Sequence, residues 1–360
     1  MKILFFIDSF DGGGAARLIS MIANGLSNHG HKVFIASDFN RPVKYNLNTS
    51  IERLSWYPRD YSSKNVFFKL FSILKRGRLI IKQVEPDIAI SSIPHIVFLS
   101  KLCAIGTHIP FVFADMTSYA RKDSSFSHFI RYHFYKLADA ITVQTENDMK
   151  IIGKRFPQMH VINNPLSYDF YYSRDERDKI ILSIGHTKEW HIKGMDILIR
   201  AFAKVASNYP DWNVEIAGGT TEDSIHYLEG IIKEEQIEGR IKFIGFQDHI
   251  EKKMQAASIF ALSSRIEGFS ISLTEAISQG CPAVAFKIHG VITDVTGNGH
   301  GVLLVEDESE EQFSQQLSLL MSDKELRREL ASDGQKYIEK YRLDNIIIKW
   351  EELLERVIYQ

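Results

Sequence analysis

The chain has 360 residues, 44% hydrophobic and 24% charged, a globular composition long enough for two domains of about 150 residues each. Two cysteines, Cys103 and Cys281, exclude a disulfide framework or a four-thiolate metal site, and no apolar run is long enough for a signal peptide or a bilayer span, so a cytoplasmic protein is expected. A formal net charge of -2, taken as a sum, argues against nucleic acid or an anionic membrane as partner.

The chain opens with an apolar run from Ile3 to Ile7, then a glycine cluster, then Leu18, Ile19, Ile22, Ala23 and Leu26 at helical spacing, ending at Gly30 before a second run from Val33 to Ala36. Strand, tight turn, helix and strand predict a parallel βαβ unit. Further strands are expected at Asp87 to Ser91, Pro110 to Ala114 and Ala140 to Gln144, separated by segments of helical length. Asn163, Asn164 and Pro165 break the series, and the polar stretch from about 167 to 178 reads as a linker. The alternation then restarts. Runs at Ile180 to Ile184, Trp212 to Ala217, Ile241 to Ile244, Ser258 to Leu262, Ala283 to Phe286 and Val302 to Val305 predict a second set of strands, with a helix over Met195 to Val205. The last segment, Leu343 to Ile358, predicts a helix with Ile346, Ile347, Trp350, Leu353, Leu354 and Val357 on one side. The expected organisation is a first α/β domain over 1–166, a linker over 167–178, a second over 179–342 and a terminal helix over 343–360.

Dividing the charges between these halves changes the electrostatic reading. Residues 1–165 hold 21 Lys+Arg against 12 Asp+Glu, a balance of +9, which leaves 22 against 33, or -11, for residues 166–360. Within residues 64–82, six cations (Lys64, Lys69, Lys75, Arg76, Arg78, Lys82) alternate with Phe67, Phe68, Phe71, Leu74, Ile80 and Ile81, with no acid among them. Two readings stand: a helix lying on an anionic membrane surface, or a core-facing helix with a solvated basic face.

Two segments carry the chemistry. Asp11-Gly12-Gly13-Gly14-Ala15-Ala16-Arg17 lies between the first strand and first helix, where glycines admit a ligand to the backbone and the helix N-terminus offers N–H groups to an oxyanion. A dinucleotide fingerprint needs a third glycine where Arg17 stands, although Asp38 sits where a ribose-binding acid would. A plain tight turn and a ligand loop both fit. The second segment runs from Ser263 to Pro282. Ser270 or Ser272 is placed to cap a helix that Gly280 and Pro282 end, with Glu267 in the loop before it and Glu275 on it. A carboxylate on each side of a phosphate-accepting helix N-terminus suits sugar or ribose hydroxyls. Equally, Glu275 could face solvent and Glu267 could answer only the helix dipole. The histidines, among them His29, His31, His289 and His300, are scattered and show no metal-ligand spacing.

Glu267-Gly268-Phe269, a second glutamate eight positions later, then Ala276, Gly280, Pro282 and Val284 resemble the donor-site signature of the retaining GT-B glycosyltransferases of family 4. Gly13-Gly14-Ala15, Thr142 to Thr145, Asn163-Asn164-Pro165, Lys193-Gly194, Ala217-Gly218-Gly219, Phe243 with Gly245, and Gly301 to Val305 resemble further family segments in the same order. The resemblance implies an α/β fold of two Rossmann-like domains facing a cleft, with a C-terminal helix crossing back to the first. It implies retaining transfer of a hexose or N-acetylhexosamine from a nucleotide sugar, expected to be UDP-linked, to a glycan or lipid-linked glycan, with no cofactor and no metal. Glu275 would hold the ribose, and Glu267 the donor sugar. Lys193 would neutralise the diphosphate. The backbone at Gly268, Phe269, Ser270 and Ile271 would lie near the sugar and diphosphate, Gly218 on the donor side, and Gly245 with Phe246 by the base. The Gly13-Gly14 loop would approach the diphosphate and acceptor. Three positions depart from the pattern: His186 replaces a usual arginine, Ser270 a usual glycine, and Asp115 stands nearest to where a histidine follows the fourth strand. Two other classes fit the same architecture: a sugar-nucleotide epimerase or other GT-B enzyme, and a catalytically silent partner subunit of a glycan-building complex.

Overall fold

The computed structural model describes residues 1–58, 66–117, 124–172 and 176–359. Lys64 of the basic segment and residues 173–175 of the expected linker lie outside the described residues. The chain divides into two compact units, one formed by 1–165 with 341–360 and the other by 166–340.

The first unit alternates strands and helices: β1 (Lys2–Phe6), α1 (Gly14–Asn28), β2 (Lys32–Ser37), β3 (Glu52–Ser55), α2 (Val66–Val84), β4 (Ile88–Ser92), α3 (Pro94–Cys103), β5 (Phe111–Ala114), α4 (Ser125–His133), β6 (Ala140–Val143), α5 (Glu146–Ile152) and β7 (Met159–Val161). They form one parallel sheet in the order β3-β2-β1-β4-β5-β6-β7. β4, β5 and β6 are buried along their whole length, which parallel strands covered on both faces require. The order reverses at β1 and β4, so the chain winds outward in both directions and ligands are favoured at the carboxyl ends of that pair. α1 forms because its apolar residues recur at helical spacing; Leu18, Ile19, Ile22, Ala23 and Leu26 are all buried, and Gly30 at φ 88° turns the chain into β2. β3 and β7 were not expected. β3 is a four-residue edge strand, Glu-Arg-Leu-Ser, with three exposed positions, and β7 is three residues at the opposite edge. Neither carries the apolar run that a buried strand needs. With β3 counted, Asp115 follows the fifth strand.

The second unit holds β8 (Asp178–Ile184), α6 (Met195–Ala206), β9 (Asn213–Ala217), α7 (Glu222–Glu234), β10 (Ile241–Gly245), α8 (Ile250–Ala256), β11 (Ala257–Leu262), α9 (Ile271–Ser278), β12 (Ala283–Phe286), α10 (Val291–Val295), β13 (Val302–Val305), α11 (Glu310–Ser322) and α12 (Lys324–Ile338). Its parallel sheet runs β10-β9-β8-β11-β12-β13, with the reversal between β8 and β11. The polar stretch read as a linker is anchored at its end. Arg177 donates to the carbonyls of Met254, Ala257 and Gln279 at 2.8, 3.0 and 2.6 Å, satisfying chain ends around α8 and α9.

The last helix, α13 (Leu343–Tyr359), belongs to the first unit and packs on α1. Gly25 permits this contact: a Cβ there would stand 2.5 Å from the Ile347 side chain. His29 and His31 are not scattered. Glu351 of α13 pairs with His29 Nδ1 at 3.1 Å and His31 Nε2 at 2.8 Å. Two residues just after α1, 322 and 320 positions away in sequence, thereby gain a shared carboxylate.

Candidate active site

At the switch point of the second sheet, the segments after β8 and β11 meet. Lys193 Nζ donates to Glu267 Oε1 at 2.9 Å, and Ser264 Oγ donates to the same oxygen at 2.8 Å. Both charged side chains are mostly but not fully buried, so the pair is partly desolvated and remains open to a ligand. The backbone beside the lysine is fixed sterically. Gly194 has φ 60°, and a Cβ on it would lie 1.8 Å from the Ser263 carbonyl oxygen, inside any tolerable contact. Ser263 Oγ also donates to the Lys193 carbonyl at 3.1 Å.

Arg265 locks these two segments together. Its guanidinium reaches both Asp196 oxygens at 2.9 Å in the fork geometry of an arginine–carboxylate pair and also meets Glu308 at 2.9 Å. Its backbone N–H donates to Ile192 O at 2.8 Å. Hydrogen bonding to Asp196 outweighs desolvation and raises its pKa further, so it is a permanent cation. Sequence reasoning missed Arg265 and Ser264. The signal was an arginine two residues before Glu267 and an aspartate three after Lys193, which no local pattern connects.

The three glycine-bearing strand ends are also joined. Gly185 N–H donates to Ala217 O, Gly218 N–H to Gly245 O at 2.9 Å, and Thr187 N–H to Gly219 O at 2.8 Å. A Cβ on Gly218 would stand 2.0 Å from Gly185 O, and one on Gly219 2.7 Å from His186 Nε2. His186 therefore lies against Gly219. Its Nδ1 accepts from Lys188 N–H at 3.1 Å, which places the ring proton of the neutral tautomer on Nε2. Phe246, next to Gly245, is 79% exposed.

α9 begins at Ser270, whose φ of 60° is left-handed and whose side chain makes no cap. The expected capping by Ser270 is therefore absent. Its hydroxyl is buried and makes no hydrogen bond among the described residues. Thr274 and Leu273 donate to the Ser270 carbonyl, while the amides of Ile271 and Ser272 begin the helix and are the donors an anion would meet. Glu275, on this helix, is buried rather than solvent-facing, as is Phe269. Lys193, Glu267, Gly268, Phe269, Ser270 and Ile271 therefore belong to one region of the unit, at the carboxyl ends of β8 and β11, with Glu275 on the helix that follows and His186, Gly218, Gly245 and Phe246 along the neighbouring strand ends.

In the first unit, Gly13 caps α1 with φ 91°, and neither Gly13 nor Gly14 would bring a Cβ within 4 Å of another atom. Packing does not explain Gly14, the first residue of α1. Asp38, the acid of a dinucleotide reading, is instead paired with Arg41, which also faces Asp8 and Asp11. Asp115 is placed differently from the expectation. Its side chain is fully buried in an ion pair with Arg131 at 2.8 Å and accepts from Thr117 N–H at 3.1 Å. The nearby Tyr135 phenol is pushed well up by burial and then by the Asp115 charge. This buried, paired carboxylate ties the segment after β5 to α4. Among the described residues no group of three or more His, Cys, Asp or Glu is placed to hold a metal ion, and no helix is long and apolar enough to cross a membrane.

Comparison with known proteins bears on the fold and the family. A family model described as Glycosyl transferases group 1 matches residues 168–337, and one described as Glycosyltransferase Family 4 matches residues 12–170. An uncharacterised glycosyltransferase of Haemophilus influenzae is 26% identical, covering 98% of this chain and 99% of that protein. A Campylobacter jejuni alpha-1,4-N-acetyl-D-galactosaminyltransferase, named for a diNAcBac-PP-undecaprenol substrate, is 23% identical over 99% of each. The structure of Anabaena HepE in complex with UDP and glucose superposes with a TM-score of 0.82 at 18% identity over 99% of each chain. The chain is a GT-B protein and belongs to the family 4 glycosyltransferases.

Proposed function

We propose that the enzyme transfers a hexose or N-acetylhexosamine from a UDP-sugar, with retention at the anomeric carbon and without a metal ion, onto a glycan or lipid-linked glycan. The observation that carries the reading is the Lys193–Glu267 pair, held at the switch point of the donor unit beside the open start of α9. An ammonium has three N–H bonds. With one directed at Glu267, the others suit a diphosphate oxygen, and the Ile271 and Ser272 amides suit another. These groups oppose the charge that grows on the leaving diphosphate, where electrostatic stabilisation lowers the barrier most. Glu267 then takes a sugar hydroxyl, Glu275 the ribose, and Phe246 offers its exposed ring to the base. His186 Nε2–H contributes one neutral donor where a second cation is usual.

In this reading the acceptor hydroxyl attacks the anomeric carbon on the face from which the diphosphate leaves. The C–O bond to the diphosphate breaks, the bond to the acceptor oxygen forms, and the acceptor proton passes to a leaving-group oxygen. Positioning and electrostatics do the work, and no side chain forms a covalent intermediate. The Campylobacter relative's undecaprenol-linked substrate and the UDP and glucose of the Anabaena complex support the donor and acceptor classes.

The test is a panel of UDP-sugars with glycan and polyprenyl-linked acceptors, in EDTA, reading released UDP and the anomeric configuration of the product. Glu267→Ala and Lys193→Ala should each depress transfer at least a hundredfold while thermal unfolding stays cooperative. Near wild-type turnover in either variant overturns the site assignment. Donor isomerisation without an acceptor would identify an epimerase, and nucleotide binding without hydrolysis or transfer a silent subunit.

A further inference from the structure

One face of the first unit is unlike the rest of the surface. α2, α3 and α4 pack side by side, and their three segments contain no acidic residue. α2 buries Ile73, Gly77, Ile80, Ile81 and Val84 against the core. On the opposite side it presents Phe67 (83% exposed), Phe71 (65%), Lys75, Arg78 and Lys82 as a continuous stripe, flanked by Phe68 and Leu79. The start of α4 adds Phe126 and Phe129, both about half exposed, and the turn after α3 adds Ile105. Large apolar side chains exposed in such number are not what a freely soluble face carries.

We propose that this face docks on an anionic lipid bilayer, with the aromatic ends of α2 and α4 entering the headgroup region and the lysines and arginine of α2 resting on lipid phosphates. Charge decides the occupant. A second copy meeting this face through a two-fold axis would set cation against cation along the stripe. An anionic surface neutralises all of it, and aromatic side chains beside lysines are the combination that an interface accepts at its apolar and polar depths. The placement also has direction. α2 follows β3 and α4 follows β5, so both aromatic ends lie on the carboxyl edge of the parallel sheet, the edge that carries Gly13 and Gly14. If the transfer reading holds, on which this clause rests, a lipid-linked acceptor reaches that loop from the membrane the same edge contacts.

Vesicle binding tests the docking independently of catalysis. The full chain is floated with vesicles of phosphatidylcholine alone and with phosphatidylcholine containing about a third phosphatidylglycerol, at low and high salt. Binding to the anionic vesicles should exceed that to the neutral ones by at least tenfold and fall as salt rises. Lys75→Gln with Lys82→Gln should weaken it by about fivefold per residue. Phe67→Ser with Phe71→Ser should weaken it at least tenfold with thermal unfolding still cooperative, since both side chains are mostly exposed. A Phe71→Trp variant should show a blue-shifted emission on anionic vesicles. Equal binding to both vesicle types, or aromatic variants that bind as well as wild type, would overturn the proposal. So would a dimer in solution that the Phe67→Ser/Phe71→Ser pair dissolves. Failure of vesicle binding with transfer intact would leave the enzymatic reading standing.

Discussion

Ser270→Gly should make the protein more stable, although it deletes a buried side chain beside the proposed donor site. Ser270 sits at φ 60° with its hydroxyl buried and making no hydrogen bond among the described residues. A non-glycine residue in this left-handed conformation carries about 1–2 kcal/mol of strain, and a buried unmatched hydroxyl costs about 1 kcal/mol at the low end. Against these, glycine loses about 0.5–1 kcal/mol more in chain entropy on folding, and the deleted methylene forfeits about 0.8 kcal/mol of burial. The balance favours glycine by about 1 kcal/mol, which for a unit of this size raises Tm by about 2–4 °C. Calorimetry of wild type, Ser270→Gly and Ser270→Val measures it. Valine keeps the strained φ and adds a branched side chain, so its Tm should fall. If glycine leaves Tm unchanged or lowers it while valine is tolerated, the strain argument is wrong.

Gly194→Ala should cost about 3 kcal/mol, read from urea midpoints, because relieving a 1.8 Å approach to the Ser263 carbonyl moves the backbone that carries Lys193. Asp115→Ala should lower stability by about 3–5 kcal/mol by leaving the buried Arg131 guanidinium without this carboxylate. A stable variant that lost only turnover would instead return Asp115 to the acceptor side. Glu351 supplies a pH dependence. Burial pushes its carboxyl up, but hydrogen bonds from His31 and His29 pull it down, leaving it below the ordinary value. A depressed folded pKa adds stability that is complete above the unfolded carboxylate pKa and lost as pH falls through the folded one. The urea-midpoint gap between wild type and Glu351→Gln should therefore shrink in acid below about pH 4.5, and a gap that stays constant would exclude the linkage.

What the sequence disclosed, and what it withheld, follows from how each feature is encoded. Buried central strands such as Phe111–Ala114 and Ala283–Phe286 are apolar throughout and announce themselves. β3, polar and exposed at the sheet edge, is specified by pairing with β2 and has no local signal. The glycine loops were legible because left-handed φ and close backbone approach leave a residue type behind, as at Gly194 and Gly218. Ser270 adopts the same geometry without that mark. The site's glutamates and Lys193 stood in recognisable motifs, yet the group that fixes them, Arg265, acts through Asp196 at a separation of 69 residues. The partners of Asp115 and of Glu351 are hidden in the sequence for the same reason: Arg131, His29 and His31 reach those carboxylates only in the folded chain.

The return of α13 to α1 sets an order of events during synthesis. Residues 166–340 form an uninterrupted unit, whereas the first unit lacks a helix until residues 341–359 have been made. At about 5–20 residues per second, residues 341–359 follow residue 165 by roughly 10–40 s, and the α1 face around Gly25 stays uncovered for at least that long. The second unit thus has time to fold while the first is still incomplete, and a fragment ending at Pro165 would leave that apolar face bare. A rearranged chain in which residues 341–359 precede residue 1 through a flexible joint would give the first unit all its parts at once. Such a chain should let it be produced alone.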